Sequence, residues 1–77
     1  MREAYFHYAN PEHLLVDKRG AAVSGFADAC IHADRLVRTM IAAHNDEDWR
    51  GWELRVTDDL GEEIFVLPFA SILGKLH

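Results

Sequence analysis

From Ser24 to His44 the apolar residues recur at helical spacing, with Phe26, Cys30, Ala33, Leu36, Val37, Met40, Ile41 and His44 on one side. A helix with one apolar stripe must bury it against another element, and the segments flanking this one follow a different period. "AYFHY" (4–8) and "HLLVD" (13–17) precede it as two short strands, and "WELRVT" (52–57) alternates strictly after it, with Trp52, Leu54 and Val56 on one face and Glu53, Arg55 and Thr57 on the other. The order strand, strand, long helix, strand, strand implies an α+β two-layer sandwich, an antiparallel sheet with the helix on one face. Phe69, Ile72, Leu73 and Leu76 add a short C-terminal helical turn, weakened by Gly74.

The helix ends are marked. Ser24 suits an N-cap, Asp28 complements the first turn, and His44 with Asn45 closes the last. The polar face carries Asp28, His32, Arg35, Arg38 and Thr39, with Asp34 and Arg38 spaced to pair and Ile31 as an apolar intruder.

Two stretches, "VDKRG" (16–20) and "TDDLG" (57–61), share a β-branched residue, Asp, two variable residues and Gly. Asp can bond the backbone of a turn and Gly accepts a positive φ cheaply, so both read as turns rather than metal or phosphate loops. At the second, a type I turn with a bulge sets Val56 against Ile64 and Leu54 against Val66. Arg55 then meets Phe65 on the outer side, with Leu67 beside Glu53. In the first hairpin, a tip at Asn10 and Pro11 sets Tyr8 against His13, His7 against Leu14, Phe6 against Leu15 and Tyr5 against Val16.

With 77 residues, 49% hydrophobic and 27% charged, the chain is expected to form one domain over residues 1–77. A lone Cys30 excludes an internal disulfide. No 18-residue apolar run is present and the start has no basic-then-apolar leader, so no membrane span is expected and the cytoplasm is the expected compartment. A net charge of −5 makes nucleic acid an unlikely partner.

"AYFHY", the Asp-x-x-Gly turn, the Ala-rich helix and above all "ELRVTDDLGEEIFVLPF" (53–69) resemble a family of short, uncharacterised domains of alphaproteobacteria (domain of unknown function 6894). The resemblance covers nearly the whole chain and implies the same fold in a bacterial cytoplasm, without an activity or catalytic residues. The first turn departs from it, "ANPE" standing where an Asp-Gly type of turn is more usual.

No side chains assemble into a recognisable chemistry. Cys30 sits in the apolar stripe, where it acts as a small hydrophobe rather than a nucleophile. The histidines lack i,i+4 pairing, so no metal is expected. Asp46, Glu47 and Asp48 lack the downstream Gly and Glu of a calcium loop. Asp58, Asp59, Glu62 and Glu63 gather at a solvated turn. His7, between aromatics, is a core or rim residue before it is a general base. The expectation is therefore no enzyme, no cofactor and no metal. What stands out is apolar surface on the face the helix leaves bare, carrying Phe65 and Leu67 with either Phe6 and Leu15 or Tyr5, Leu14 and Val16, according to which side of the first hairpin meets the helix; Phe65, Leu67, Arg55, Tyr5 and His7 are the candidate contact residues. Either residues 69–76 cover that face, or it meets a second copy or another protein, making the chain a protein-interaction module or homodimer. A nucleic-acid-linked regulator resembling small antitoxin proteins is the second class, resting on Arg35, Arg38, Lys18 and Arg19.

Overall fold

The computed structural model describes residues 2–74. Leu76 of the expected helical tail lies outside the described residues. The elements run β1 (Arg2–Ala9), β2 (Leu14–Leu15), β3 (Ala21–Val23), α1 (Phe26–Ala43), β4 (Glu53–Thr57), β5 (Glu63–Pro68) and α2 (Phe69–Leu73). The strands form one antiparallel sheet ordered β2-β1-β4-β5, with β3 also on β1. The expected α+β architecture is present, with an additional strand, β3.

β1 is long enough to hold two short partners along one edge. β2 pairs with its far end (Tyr8 with Leu15, Ala9 with Leu14) and β3 with its start (Glu3 with Ala22, Ala4 with Ala21). The first hairpin therefore pairs differently from expectation, Tyr8 meeting Leu15 rather than His13. The cause is the turn: Asn10 Oδ1 accepts the N–H groups of Glu12 and His13 at 2.8 and 2.6 Å, and Asn10 N–H donates to His13 O at 2.9 Å. This moves the loop one residue along β1, to residues 10–13, and leaves the faces unchanged because the offset is even.

The second hairpin has the expected turn. Gly61 holds φ 81, and Asp58 Oδ1 accepts from the N–H groups of Leu60 and Glu62, both at 2.9 Å. Beyond the rung of Thr57 with Glu63, however, Ile64 is an extra residue, so that Val56 meets Phe65, Arg55 meets Val66 and Leu54 meets Leu67. A one-residue offset turns every later side chain to the other face. Phe65 and Leu67, expected on the outer face, consequently pack against the core on the inner one.

That core is built from Ala4, Phe6, Val23, Leu54 and Val56 of the sheet, Ala29, Ala33 and Val37 of α1, and Trp49, Phe69 and Ile72. α1 begins one residue later than expected, with Gly25 rather than Ser24 as its N-cap, and Asp28 reaches back to accept the Ser24 N–H at 2.9 Å. The buried line runs through Ala29, Ala33 and Val37, and Phe26 at the helix start is 62% exposed, touching Phe65 edge-on at 5.4 Å. Small side chains at the centre of the stripe let the helix approach the sheet closely, which places bulky Phe26 at the margin rather than beneath it. Cys30 is likewise half-buried rather than enclosed.

α2 packs on the helix side of the sheet. Phe69 stacks on Trp49 (5.2 Å, 28°) and meets Tyr8 at 6.3 Å, and Ile72 joins the core. The described part of the tail thus does not cover the outer face.

Candidate interaction surface

On the outer face stand Tyr5, His7, Arg55 and Thr57, each engaged with a neighbour. Tyr5 O–H donates to Glu3 at 3.2 Å, and Arg55 Nε donates to Glu53 at 2.6 Å. The Glu3 carboxylate raises the Tyr5 phenol above its ordinary value. His7 Nδ1 accepts the Asp17 N–H at 3.0 Å, which puts the neutral ring's proton on Nε2, and Nε2 donates to Thr57 Oγ1 at 2.9 Å. The outer face is thus mainly polar, with Val66 opposite Arg55 as an aliphatic residue among the polar ones. Of the five residues expected to form a contact patch there, Tyr5, His7 and Arg55 are present on it, whereas Phe65 and Leu67 are not.

Asp17 organises the edge beside them. Its Oδ2 accepts the Phe6 N–H at 3.1 Å, and its Oδ1 accepts those of Arg19 and Gly20 at 3.0 and 3.2 Å. The Phe6 rung lies between those made by β2 and β3, so the carboxylate stands in for a strand carbonyl where the edge is interrupted. Partial burial pushes this carboxyl up, but the N–H donors of Phe6, Arg19 and Gly20, with His7 nearby, outweigh it and hold the group below its usual range. Gly20 is required here: its φ is 70, and a Cβ would lie 2.9 Å from the Tyr5 ring.

The two edges of the sheet differ. On β5, the bulge at Ile64 and the missing N–H of Pro68 both obstruct a further strand. On the opposite edge, Leu14, Leu15 and Val16 are 55%, 53% and 54% exposed, three consecutive aliphatic side chains in water. Leu15 and Val16 border a groove of about 360 Å³ running to α1, lined also by Phe6, Tyr8 and Leu36, with Asp17, Arg19 and His32 as its polar members. This is one of the apolar surfaces the fold leaves bare; Phe26, Ile31, Leu60 and Ile64 are exposed as well, but not as a consecutive run on a sheet edge. The sequence pattern sets Leu15, or else Leu14 and Val16, on a bare face, and the position of β2 at the sheet edge exposes both of its faces at once. A second cleft, about 580 Å³, opens where α1 begins, between Val23, Phe26, Ala29 and Ile64 with Asp58 and Asp59 at its rim.

The remaining sequence candidates are dispersed. Arg38 pairs with Asp34 at 2.9 Å, Arg35 is exposed on α1, and Lys18 and Arg19 are exposed between β2 and β3. Asp48 is bound by Arg50, which holds its carboxyl down to about 2. Among the described residues no group of three or more His, Cys, Asp or Glu side chains converges to hold a metal ion. No helix among them is long and apolar enough to cross a membrane.

Residues 5–70 match a family model. The chain belongs to the family described as Domain of unknown function (DUF6894). No curated protein and no solved structure matches it. The matched span of this DUF6894 domain runs from Tyr5 through Ala70 and so takes in the β2 edge, Asp17 and both hairpins.

Proposed function

We propose that this chain is a small, non-catalytic protein-interaction module of the bacterial cytoplasm, associating with a second copy or another protein through the apolar surface its own elements leave bare. The bacterial setting follows from the alphaproteobacterial resemblance of "ELRVTDDLGEEIFVLPF". One observation carries the reading: Leu14, Leu15 and Val16 form a consecutive, more than half-exposed aliphatic run on a sheet edge, beside an open groove. Such surface is costly to leave in water, at roughly 25 cal/mol per Å² of apolar area, and on soluble chains it marks contact sites. The contact surface is thereby moved from the outer face, where Tyr5, His7 and Arg55 are satisfied by their own neighbours, to the β2 edge.

The test is association measured by light scattering over a concentration series, together with recovery of bound proteins from a bacterial extract, for the wild-type chain and Leu14→Lys. The expected result is association by the wild type that Leu14→Lys abolishes while the far-UV circular dichroism is unchanged. A wild-type chain that stays monomeric throughout and retains nothing that depends on Leu14 sinks the reading.

A further inference from the structure

We infer that the partner is a second copy of this chain, joined β2 to β2 in antiparallel fashion about a twofold axis at Leu15, so that the two sheets become one. The inference rests on the interaction-module reading and names its partner and its surface.

The hydrogen bonding of β1 fixes which backbone groups are free. Asn10 N–H meets His13 O, and Phe6 N–H meets the Asp17 carboxylate, so the even-numbered residues of β1 direct their polar groups to this edge. Tyr8 therefore bonds Leu15, and Asp17 turns its own N–H inward to His7. By the alternation of an antiparallel ladder, the N–H and C=O groups of Leu14 and Val16 point away from β1. They form the outermost row of this edge, and a row of that kind accepts another strand.

The side chains favour a copy of the same strand. Centring the pairing on Leu15 sets Leu14 against Val16 of the second copy, Leu15 against its own counterpart and His13 against Asp17. Only aliphatic residues meet at the middle, no like charges face each other, and Leu14 and Val16 exchange both of their outward hydrogen bonds. Centring instead on Leu14 sets Glu12 against Val16, with the Glu12 N–H already held by Asn10. No proline or bulge interrupts residues 14–16, in contrast to β5. Tyr8 and Leu15 share the helix side of the sheet, so the second copy's Leu15 would arrive beside the groove that Phe6, Tyr8 and Leu36 line.

The geometry makes a covalent test available. Facing Leu15 residues would form a non-hydrogen-bonded pair with Cα atoms about 4.5 Å apart, within disulfide reach. In a Cys30→Ala background, Leu15→Cys should convert to a disulfide-linked dimer on mild oxidation, and Ile31→Cys, exposed on α1, should not. Leu15→Lys should halve the mass seen by light scattering and leave the circular dichroism unchanged. A dimer that ignores Leu15→Lys and does not cross-link at position 15, yet dissociates with Leu14→Lys, overturns this inference and leaves the broader reading intact, whereas one that ignores both substitutions removes both. A monomeric chain that binds a different protein through Leu14 also overturns it and again spares the broader reading. A monomer with no Leu14-dependent partner removes both.

Discussion

Asp17 serves with one side chain the purpose a strand residue serves with its carbonyl, bonding Phe6 across eleven positions while also holding the turn that follows. Charge-assisted bonds of this sort contribute about 1.5–3 kcal/mol each where they are desolvated, and less where water competes, as at this half-exposed site. Asp17→Asn removes the charge and turns an N–H donor toward one of the three backbone donors, so a loss of about 1–3 kcal/mol is expected from urea unfolding at pH 7. The pH dependence has a definite sign. The folded-state carboxyl lies below its ordinary value of 3.8, so its contribution is fully present above that value and is lost as the pH falls through the folded one. The gap between wild type and Asp17→Asn should accordingly narrow at pH 3, and an equal gap at both pH values would show that the charge contributes nothing. The sequence makes the local half of this arrangement readable, since Asp followed by Gly20 marks a turn. The bond to Phe6 is not readable, because it depends on β2 and β3 sharing one edge of β1.

At the scale of elements, the helix and the second turn were legible and their exact facing was not. The helical period locates α1 to within one residue of its start, yet the deepest line passes through Ala29, Ala33 and Val37 rather than Phe26. Hydrophobicity ranks Phe above Ala, whereas close approach to a sheet selects the smaller side chain. "TDDLG" announces the turn, but nothing in "EEIF" announces that Ile64 is an extra residue, and that residue decides that Phe65 and Leu67 face inward. β3 was missed because "AAV" is too short to show a period and pairs with residues about twenty positions earlier. A pair of truncations tests the corrected facing. Leu54→Ala, at a fully buried position, should cost about 2–5 kcal/mol. Phe26→Ala should cost only about 0.5–1.5 kcal/mol, the worth of its edge contact with Phe65. Urea midpoints that reverse this order would return Phe26 to the core.

The whole molecule closes at one end through a residue its sequence context disguises. Trp49 lies in the polar stretch "NDEDWRG", yet it is 6% exposed, its indole N–H donates to His44 O at 2.9 Å, and its ring lies between Phe69 of α2 and Trp52. One side chain thus joins the end of α1, the entry to β4 and the tail that follows β5. A large aromatic amid acidic residues is itself a clue, because a solvated loop gains nothing from exposing an indole. A chain of 77 residues has a net stability of about 4–12 kcal/mol. Trp49→Ala, at about 3–5 kcal/mol, would consume much or all of it. Trp49→Phe keeps a stacked ring on Phe69 and loses mainly the indole hydrogen bond, about 0.5–1.5 kcal/mol. Thermal unfolding followed by circular dichroism should therefore show Trp49→Phe melting a few degrees below the wild type and Trp49→Ala largely unfolded at 37 °C. If Trp49→Ala melts with the wild type, the loop and tail are appendages rather than part of the core, and the sheet with α1 alone must account for the stability.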